Sequence, residues 1–267
     1  MCPVITKLFF AGLVALMVTL PEGSFVSYAK HNTTAQFLYN TSQPGSNTHL
    51  MPVLAQGSIL SRGNPLLPEI ALTFDDGPNP YYTLQVLPIL EHFGIKATFF
   101  CIGRQVALFP WIVKQEYSAG DIIGNHSWSH PLLPSLSALQ IFSQIAMTSD
   151  ILQKTIGVRP VFFRPPYGGL DADVLVQANR LKLITTLWSD DTRDWSLPGT
   201  EEIIRRVLSV AGDGTIILMH DGGGNRAETV AALPTIIETL LKRGFHFVTL
   251  PRLLRDLQDN SGIHVKA

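Results

Sequence analysis

The stretch Glu69-Ile70-Ala71-Leu72-Thr73-Phe74-Asp75-Asp76-Gly77-Pro78 sets the reading of the whole chain. A nearly unbroken apolar run ends in two carboxylates and a Gly-Pro turn, the pattern of a strand buried on both faces whose carboxyl end opens into a loop. Six further runs read the same way: Ile95 to Cys101, Asp121 to Ile123, Val161 to Phe163, Leu183 to Trp188, Thr215 to Met219 and His246 to Leu250. Between them lie helical stretches. Tyr81 to Phe93, Trp111 to Ala119 and Ala227 to Arg243 stop at Gly94, Gly120 and Gly244, placing glycine where a helix ends in a left-handed residue. Ser135 to Ile156, Asp171 to Leu181 and Thr200 to Val210 fill the other gaps. The resulting β-α alternation predicts a parallel sheet with crossover helices over residues 68–260. Periodicity does not decide between an open sheet and a closed barrel.

The chain has 267 residues, 46% of them hydrophobic and 15% charged against about 25% in ordinary soluble domains, so a full core is available and disorder is excluded as the main state. With 20 Lys+Arg and 21 Asp+Glu the formal charge is -1, and no polybasic field exists to hold nucleic acid or an anionic membrane surface. Cys2 and Cys101 are too few for a disulfide scaffold. The apolar segment Leu8 to Leu20 follows Lys7 and has the length of a signal-peptide core, short of the roughly 20 residues of a bilayer span. Residues 1–29 therefore read as a signal peptide with cleavage after Ala29, or as an uncleaved anchor that would be the sole tie to a membrane, and the expected location is secreted or cell envelope. Residues 30–67, rich in Asn, Thr, Ser, Gln, Gly and Pro, read as a polar linker.

Polar residues gather at five predicted strand ends: Asp75-Asp76, Asn125 to His130, Arg164 to Gly168, Asp190 to Trp195, and His220-Asp221. α/β folds place their sites there. Each cluster alone is consistent with a turn or a solvated loop. The imidazoles of His126-Ser127-Trp128-Ser129-His130 stand at i and i+4, which on a helical turn share one face and can share a metal. Adjacent carboxylates at a strand end diverge, so one of Asp75 and Asp76 can bind metal while the other handles a proton. Adjacent residues supply poorly the facing carboxyl pair of a glycosidase, and no G-x-S-x-G elbow is present for a serine nucleophile.

As an ordered set, Thr73-Phe74-Asp75-Asp76-Gly77-Pro78, the H-S-W-S-H segment, Arg164-Pro165-Pro166-Tyr167-Gly168, Asp191-Thr192-Arg193-Asp194-Trp195 and Leu218-Met219-His220 resemble the five motifs of the polysaccharide deacetylases, across roughly Glu69 to Leu257. The resemblance implies a distorted (β/α) barrel of about seven parallel strands. It implies a divalent metal, usually zinc with cobalt or nickel as alternatives, held by Asp76, His126 and His130. It assigns Asp75 as general base with Arg164 as its partner, the backbone N–H of Tyr167 to the oxyanion, His220 as general acid paired to Asp194, and Trp195 and Leu218 to the walls of the acetyl pocket. The expected reaction is hydrolysis of N-acetyl groups on GlcNAc residues of an extracellular polymer, peptidoglycan or chitin. The alternatives are an O-acetyl xylan esterase or other amide hydrolase on the same fold, and an inactive carbohydrate-binding relative. In this family Tyr after the R-P-P corner goes with GlcNAc and Arg with MurNAc. A neutral phenol at Tyr167 offers no cation for the lactyl branch of MurNAc, so GlcNAc is expected. Asp190, Asp191 and Asp221 receive no role.

Overall fold

The computed structural model describes residues 59–260. Its strands are β1 (Ile59–Leu60), β2 (Glu69–Asp75), β3 (Thr98–Cys101), β4 (Ile122–Asn125), β5 (Phe162–Phe163), β6 (Ile184–Thr186), β7 (Asp190–Asp191), β8 (Thr215–His220) and β9 (His246–Phe247). The helices are α1 (Thr83–His92), α2 (Gly103–Leu108), α3 (Pro110–Ala119), α4 (Ala138–Ile156), α5 (Ala172–Arg180), α6 (Thr200–Val210), α7 (Ala227–Lys242) and α8 (Leu250–Asn260). All pairings are parallel, in the order β1-β6-β5-β4-β3-β2-β8-β7, with β9 paired to β2. β7 ends that path and β6 stands next to its other end, yet only Leu187, Trp188 and Ser189 separate them in the chain. Four residues span at most about 14 Å, so the sheet must curl on itself. The result is a distorted (β/α) barrel, and covalent continuity settles what periodicity left open.

Alternation along each strand sorts side chains into two cores. On β2, Ile70, Leu72 and Phe74 face outward and pack with Ile217 and Met219 of β8, Phe99 of β3 and the apolar faces of α1 and α7. The inward core joins Leu60, Ala71, Phe100, Phe162 and Ile216 to Leu250, Leu253 and Leu254 of α8. Arg252 and Asp256 of that helix lie beside Glu69, the first residue of β2, so α8 closes the amino-terminal mouth of the barrel. Phe100 fills the interior because β4 carries Gly124 opposite it, where an added Cβ would sit 2.5 Å from the ring. The inward register then dictates the rim: Asp75 continues from Ala71 and Thr73, His220 from Ile216 and Leu218, Arg164 from Phe162.

Several expected boundaries change. β1 and β7 bring the strands to nine among the described residues against about seven expected, because two-residue strands in polar or Gly/Pro-rich sequence leave no periodic trace. α2 was not anticipated, and Leu250 starts α8 instead of ending a strand. Residues 59–67, placed in the linker by composition, belong to the barrel. Ile59 and Leu60 pair with Thr185 and Thr186, the Gly63 N–H donates to Gly214 O at 2.7 Å, and Asn64 Nδ2 donates to Asp256 O at 3.1 Å. The rest of that linker and the N-terminal apolar segment lie outside the described residues. Among the described residues no helix is long and apolar enough to cross a membrane. Leu60 is 1% exposed, so Leu60→Ala is expected to lower unfolding free energy by about 2–5 kcal/mol in urea titration. A loss below about 0.5 kcal/mol, the surface norm, would return this segment to the linker.

Candidate active site

Asp75 and Asp76 leave β2 in different directions. Asp75 keeps the inward strand register, while Asp76 adopts a left-handed backbone at φ 75°. The fully buried Arg164 guanidinium reaches Asp75 Oδ1 at 2.7 Å, Thr73 Oγ1 at 2.8 Å and Leu187 O at 3.0 Å, and lies over the Phe100 ring at 4.2 Å. Burial pushes the Asp75 carboxyl above its ordinary range; the charge of Arg164, then of His220, opposes the rise without cancelling it.

His126 and His130 do not sit on a helical turn. They belong to a loop after β4 in which Ser127 and His130 are left-handed at φ 63° and 59°. The loop holds because Asn125 Oδ1 accepts from Ser127 N at 2.9 Å, Ser127 Oγ accepts from His130 N at 3.1 Å, and Gln144 Oε1 accepts from Trp128 N and Ser129 N. The rings approach all the same, with centroids 4.9 Å apart. His126 Nδ1 is 2.7 Å from Arg164 O, an acceptor only, so Nδ1 carries the proton and Nε2 keeps its lone pair for the site. Burial lowers the His126 pKa to about 3, leaving the ring neutral at working pH. Asp76 Oδ1 lies 3.6 Å from His126 Nε2 and 3.2 Å from His130 Nε2.

These three residues form the metal-type cluster found among the described residues, their ligand atoms all within 4.8 Å of one another. Asp76 Oδ1 is buried and accepts no hydrogen bond. A buried carboxylate oxygen without a donor is disfavoured unless a cation completes it, so the donor set fits a divalent ion. Two imidazoles and one carboxylate leave further coordination positions open.

Across the rim, His220 is the register partner of Asp75 on the neighbouring strand. Its Nδ1 is 2.7 Å from Asp194 Oδ1, and its backbone N–H donates to Asp194 Oδ2 at 2.8 Å. Thr229 of α7 also donates to Asp194 Oδ2, at 2.8 Å. Burial works against the imidazolium, but the hydrogen bond and charge of Asp194, with the charges of Asp75 and Asp76, outweigh it and raise the His220 pKa. Nδ1 is thereby committed to Asp194 and Nε2 is left toward the site. Leu218 is buried two residues before His220. Trp195 and Tyr167 stand half-exposed or more on short 3-10 turns, Asp194–Ser196 and Pro166–Gly168. The Tyr167 ring meets His130 edge-on at 4.6 Å.

Four contributors escaped the sequence reading. Thr73 supports Arg164, and Thr229 supports Asp194. Asp221, to which the sequence assigns no role, is fully buried and accepts a short hydrogen bond from Thr83 Oγ1. Burial, opposed by the Thr83 bond and reinforced by the charges of Asp76 and Asp75, raises its pKa to about 7. Gly222 and Gly223 pack on Asp76 and Gly77, and the run Gly222-Gly223-Gly224 was visible in the sequence as three consecutive glycines beside His220-Asp221.

A rim that unites a metal-type triad with a buried carboxylate on one side and a carboxylate-oriented histidine on the other defines a hydrolase on a barrel scaffold. Comparison with known proteins narrows the class. The family profile described as polysaccharide deacetylase matches residues 63–185. A peptidoglycan-N-acetylglucosamine deacetylase of Bacillus cereus is 43% identical over 188 residues, 70% of this chain and 88% of its own length. The peptidoglycan-N-acetylmuramic acid deacetylase PdaC of Bacillus subtilis is 42% identical over 184 residues, 69% of this chain and 38% of its own length. The crystal structure of the Bc1960 peptidoglycan N-acetylglucosamine deacetylase superposes with a TM-score of 0.72 at 37% identity, covering 74% of this chain and 92% of that one. The chain belongs to the polysaccharide deacetylase family.

Because Asp194 supplies the opposing charge and bond that raise His220, Asp194→Asn is expected to move the His220 imidazole titration to lower pH in side-chain NMR. In the parent chain the imidazolium persists until pH rises through the raised folded pKa; in the variant it is lost earlier. An unmoved titration would detach Asp194 from this role.

Proposed function

We propose that this chain hydrolyses the N-acetyl amide of GlcNAc residues in a β-1,4-linked polymer, releasing acetate and a free amine. The observation that carries the reading is the pairing, on adjacent strands, of a carboxylate held by Arg164 and an imidazole held by Asp194, Asp75 on β2 and His220 on β8, beside the Asp76-His126-His130 cluster. Asp76, His126 and His130 would hold a divalent ion, zinc by the family resemblance, with cobalt or nickel suited to the same donors. When bound, such an ion supplies a Lewis acid that polarises an acyl carbonyl and acidifies water.

The protein's own groups do the rest. Asp75 takes a proton from the attacking water. Arg164 fixes one Asp75 oxygen at 2.7 Å, which leaves the other for the proton and keeps the carboxylate aimed at the rim. The Tyr167 N–H, in a turn stiffened by Pro165 and Pro166, donates to the oxygen on which negative charge develops. His220 delivers the Nε2 proton to the departing amide nitrogen, so that the C–N bond breaks to a neutral amine. Asp194 holds the imidazolium in place until then. Leu218 and Trp195 border the space for the acetyl methyl, and apolar contact there excludes water from the carbonyl.

A binding role alone does not explain this set, since sugar recognition needs neither a buried base nor a carboxylate-backed histidine. For the sugar, the neutral Tyr167 ring against His130 favours GlcNAc, which lacks the anionic lactyl branch of MurNAc. Relatives named for both sugars have nearly equal identity, so the preference rests on this residue. The same charge argument covers neutral chitooligosaccharides. The signal-like Leu8 to Leu20 segment supports export to the cell envelope or beyond, where such polymers are found.

Chelation is expected to abolish acetate release from GlcNAc oligomers, and zinc or cobalt to restore it; undiminished turnover in metal-stripped protein would refute the mechanism. His126→Ala should lose bound metal, whereas Asp75→Asn should retain it and lose about 10²–10⁴-fold in kcat. Metal loss in Asp75→Asn would exchange the roles of the two aspartates. Mass spectrometry of digested muropeptides should record acetyl loss from GlcNAc, and loss exclusively from MurNAc would overturn the sugar assignment.

A further inference from the structure

We infer that the loop Asp221 to Arg226 is a positioning element for Asp76: Gly222 and Gly223 form the wall that turns one Asp76 oxygen toward the histidines, and Arg226 locks that wall. The inference rests on the metal-binding reading of Asp76, His126 and His130. The contacts come from consecutive residues. Asp221 N donates to Asp75 O at 3.1 Å, extending the β2–β8 pairing one residue beyond the sheet. A Cβ on Gly222 would overlap the Asp76 carbonyl, and a Cβ on Gly223 would overlap Asp76 Oδ2. Asp76 is thus gripped at its backbone and at one carboxylate oxygen, while Oδ1, the atom facing His126 and His130, is the buried oxygen with no hydrogen-bond partner.

The wall has its own brace. Arg226 is 4% exposed, and its guanidinium turns back on the loop, Nε donating to Gly222 O at 2.7 Å and Nη1 to Asn225 O at 3.0 Å. Asn225 Oδ1 in turn accepts from Tyr82 OH at 2.8 Å, which ties the loop to the start of α1. Asp76 itself is left-handed, a conformation that a non-glycine residue holds only when its surroundings impose it. The loop is what imposes it, and Arg226 acts on the site through Gly222 without touching a ligand atom.

The test titrates zinc into the metal-stripped full chain against a chromophoric chelator, with melting temperature recorded in parallel. Gly223→Ala is expected to weaken zinc binding at least tenfold, the usual consequence of disturbing a ligand's support. Gly94→Ala is the matched control: Gly94 has φ 64° against 70° for Gly223, but nothing lies within 4 Å of its added Cβ. It should lose the stability that an alanine at this φ forfeits and keep its zinc affinity. Arg226→Met should weaken zinc binding in a folded chain, and Arg226→Lys, which keeps one donor for Gly222 O, should recover part of the loss. Parent-like zinc affinity in folded Gly223→Ala or Arg226→Met overturns the inference, as does an equal loss in Gly94→Ala. If Gly223→Ala does not fold, Arg226→Met and Arg226→Lys decide alone. A parent chain that binds no divalent ion overturns this inference and the proposed function together, whereas zinc-tight variants of a zinc-binding parent overturn this inference only.

Discussion

The buried charge of Arg164 is the constraint around which the barrel rim is arranged. A guanidinium removed from water needs acceptors and a balancing anion. Asp75, Thr73 and Leu187 O accept from its Nη1 and Nη2 out of β2 and the segment after β6, and the face of Phe100 lies against it from β3, while Nε stays without a partner among the described residues. The Arg164 carbonyl meanwhile accepts from His126 Nδ1 in the loop after β4. One residue therefore registers Asp75, His126 and three strand ends against one another. Removing either charge of the Arg164–Asp75 pair would strand the other, a loss of about 3–5 kcal/mol in buried pairs generally. That coupling explains why orientation at this site does not depend on loop rigidity alone.

The two sides of the rim use the same ingredients to opposite ends. Asp75 and Asp194 are both buried carboxylates beside a cationic or potentially cationic partner. For Asp75 desolvation prevails and the carboxyl is pushed up; for Asp194, bonds from the His220 ring, the His220 N–H and Thr229 outweigh it and hold the group below its ordinary range. The difference lies in the count of donors. Asp75 receives Arg164 at one oxygen, while Asp194 receives donors at both. A proton-accepting carboxylate needs an oxygen free of donors, and a carboxylate that serves only to hold an imidazolium does not. The hydrogen-bond inventory thus distinguishes a carboxylate with one free oxygen from a carboxylate held at both, as the two proposed roles require.

How much of this was legible in the sequence depended on run length. The long apolar runs ending at Asp75 and His220 identified their strands, and the ordered clusters at the strand ends contain the side chains of Asp75, Asp76, His126, His130, Asp194 and His220 that the structure brings together. What stayed hidden was set by few residues or by sequence-distant partners. β1 and β7 are two residues each, and Asp190-Asp191 looked like loop charge. The His126–His130 spacing suggested a helical turn, whereas backbone hydrogen bonds to the side-chain oxygens of Asn125, Ser127 and Gln144 fold the segment as a left-handed loop that brings the rings together by another route. Thr229 is far in sequence from Asp194, so no local pattern could have marked it; Thr73 stands in the first motif, but its bond to Arg164 spans distant sequence and left no local sign.

Left-handed non-glycine residues concentrate where the chemistry is. Asp76, Ser127, His130 and Tyr167 are four of the seven in the described chain, and each belongs to or adjoins the metal-type cluster. Such conformations stand about 1–3 kcal/mol above ordinary backbone and persist only where packing over-determines them. Here the packing is identifiable: the Gly222-Gly223 wall for Asp76, the Asn125–Ser127–His130 bond relay for the loop, and the prolines at 165 and 166 for Tyr167. A regular strand or helix could not converge these side chains, because consecutive strand residues diverge and a helix fixes its ligands at one spacing. The barrel supplies a rigid rim through its two cores, and the strained loops convert that rim into a site whose ligand atoms lie within 4.8 Å of one another.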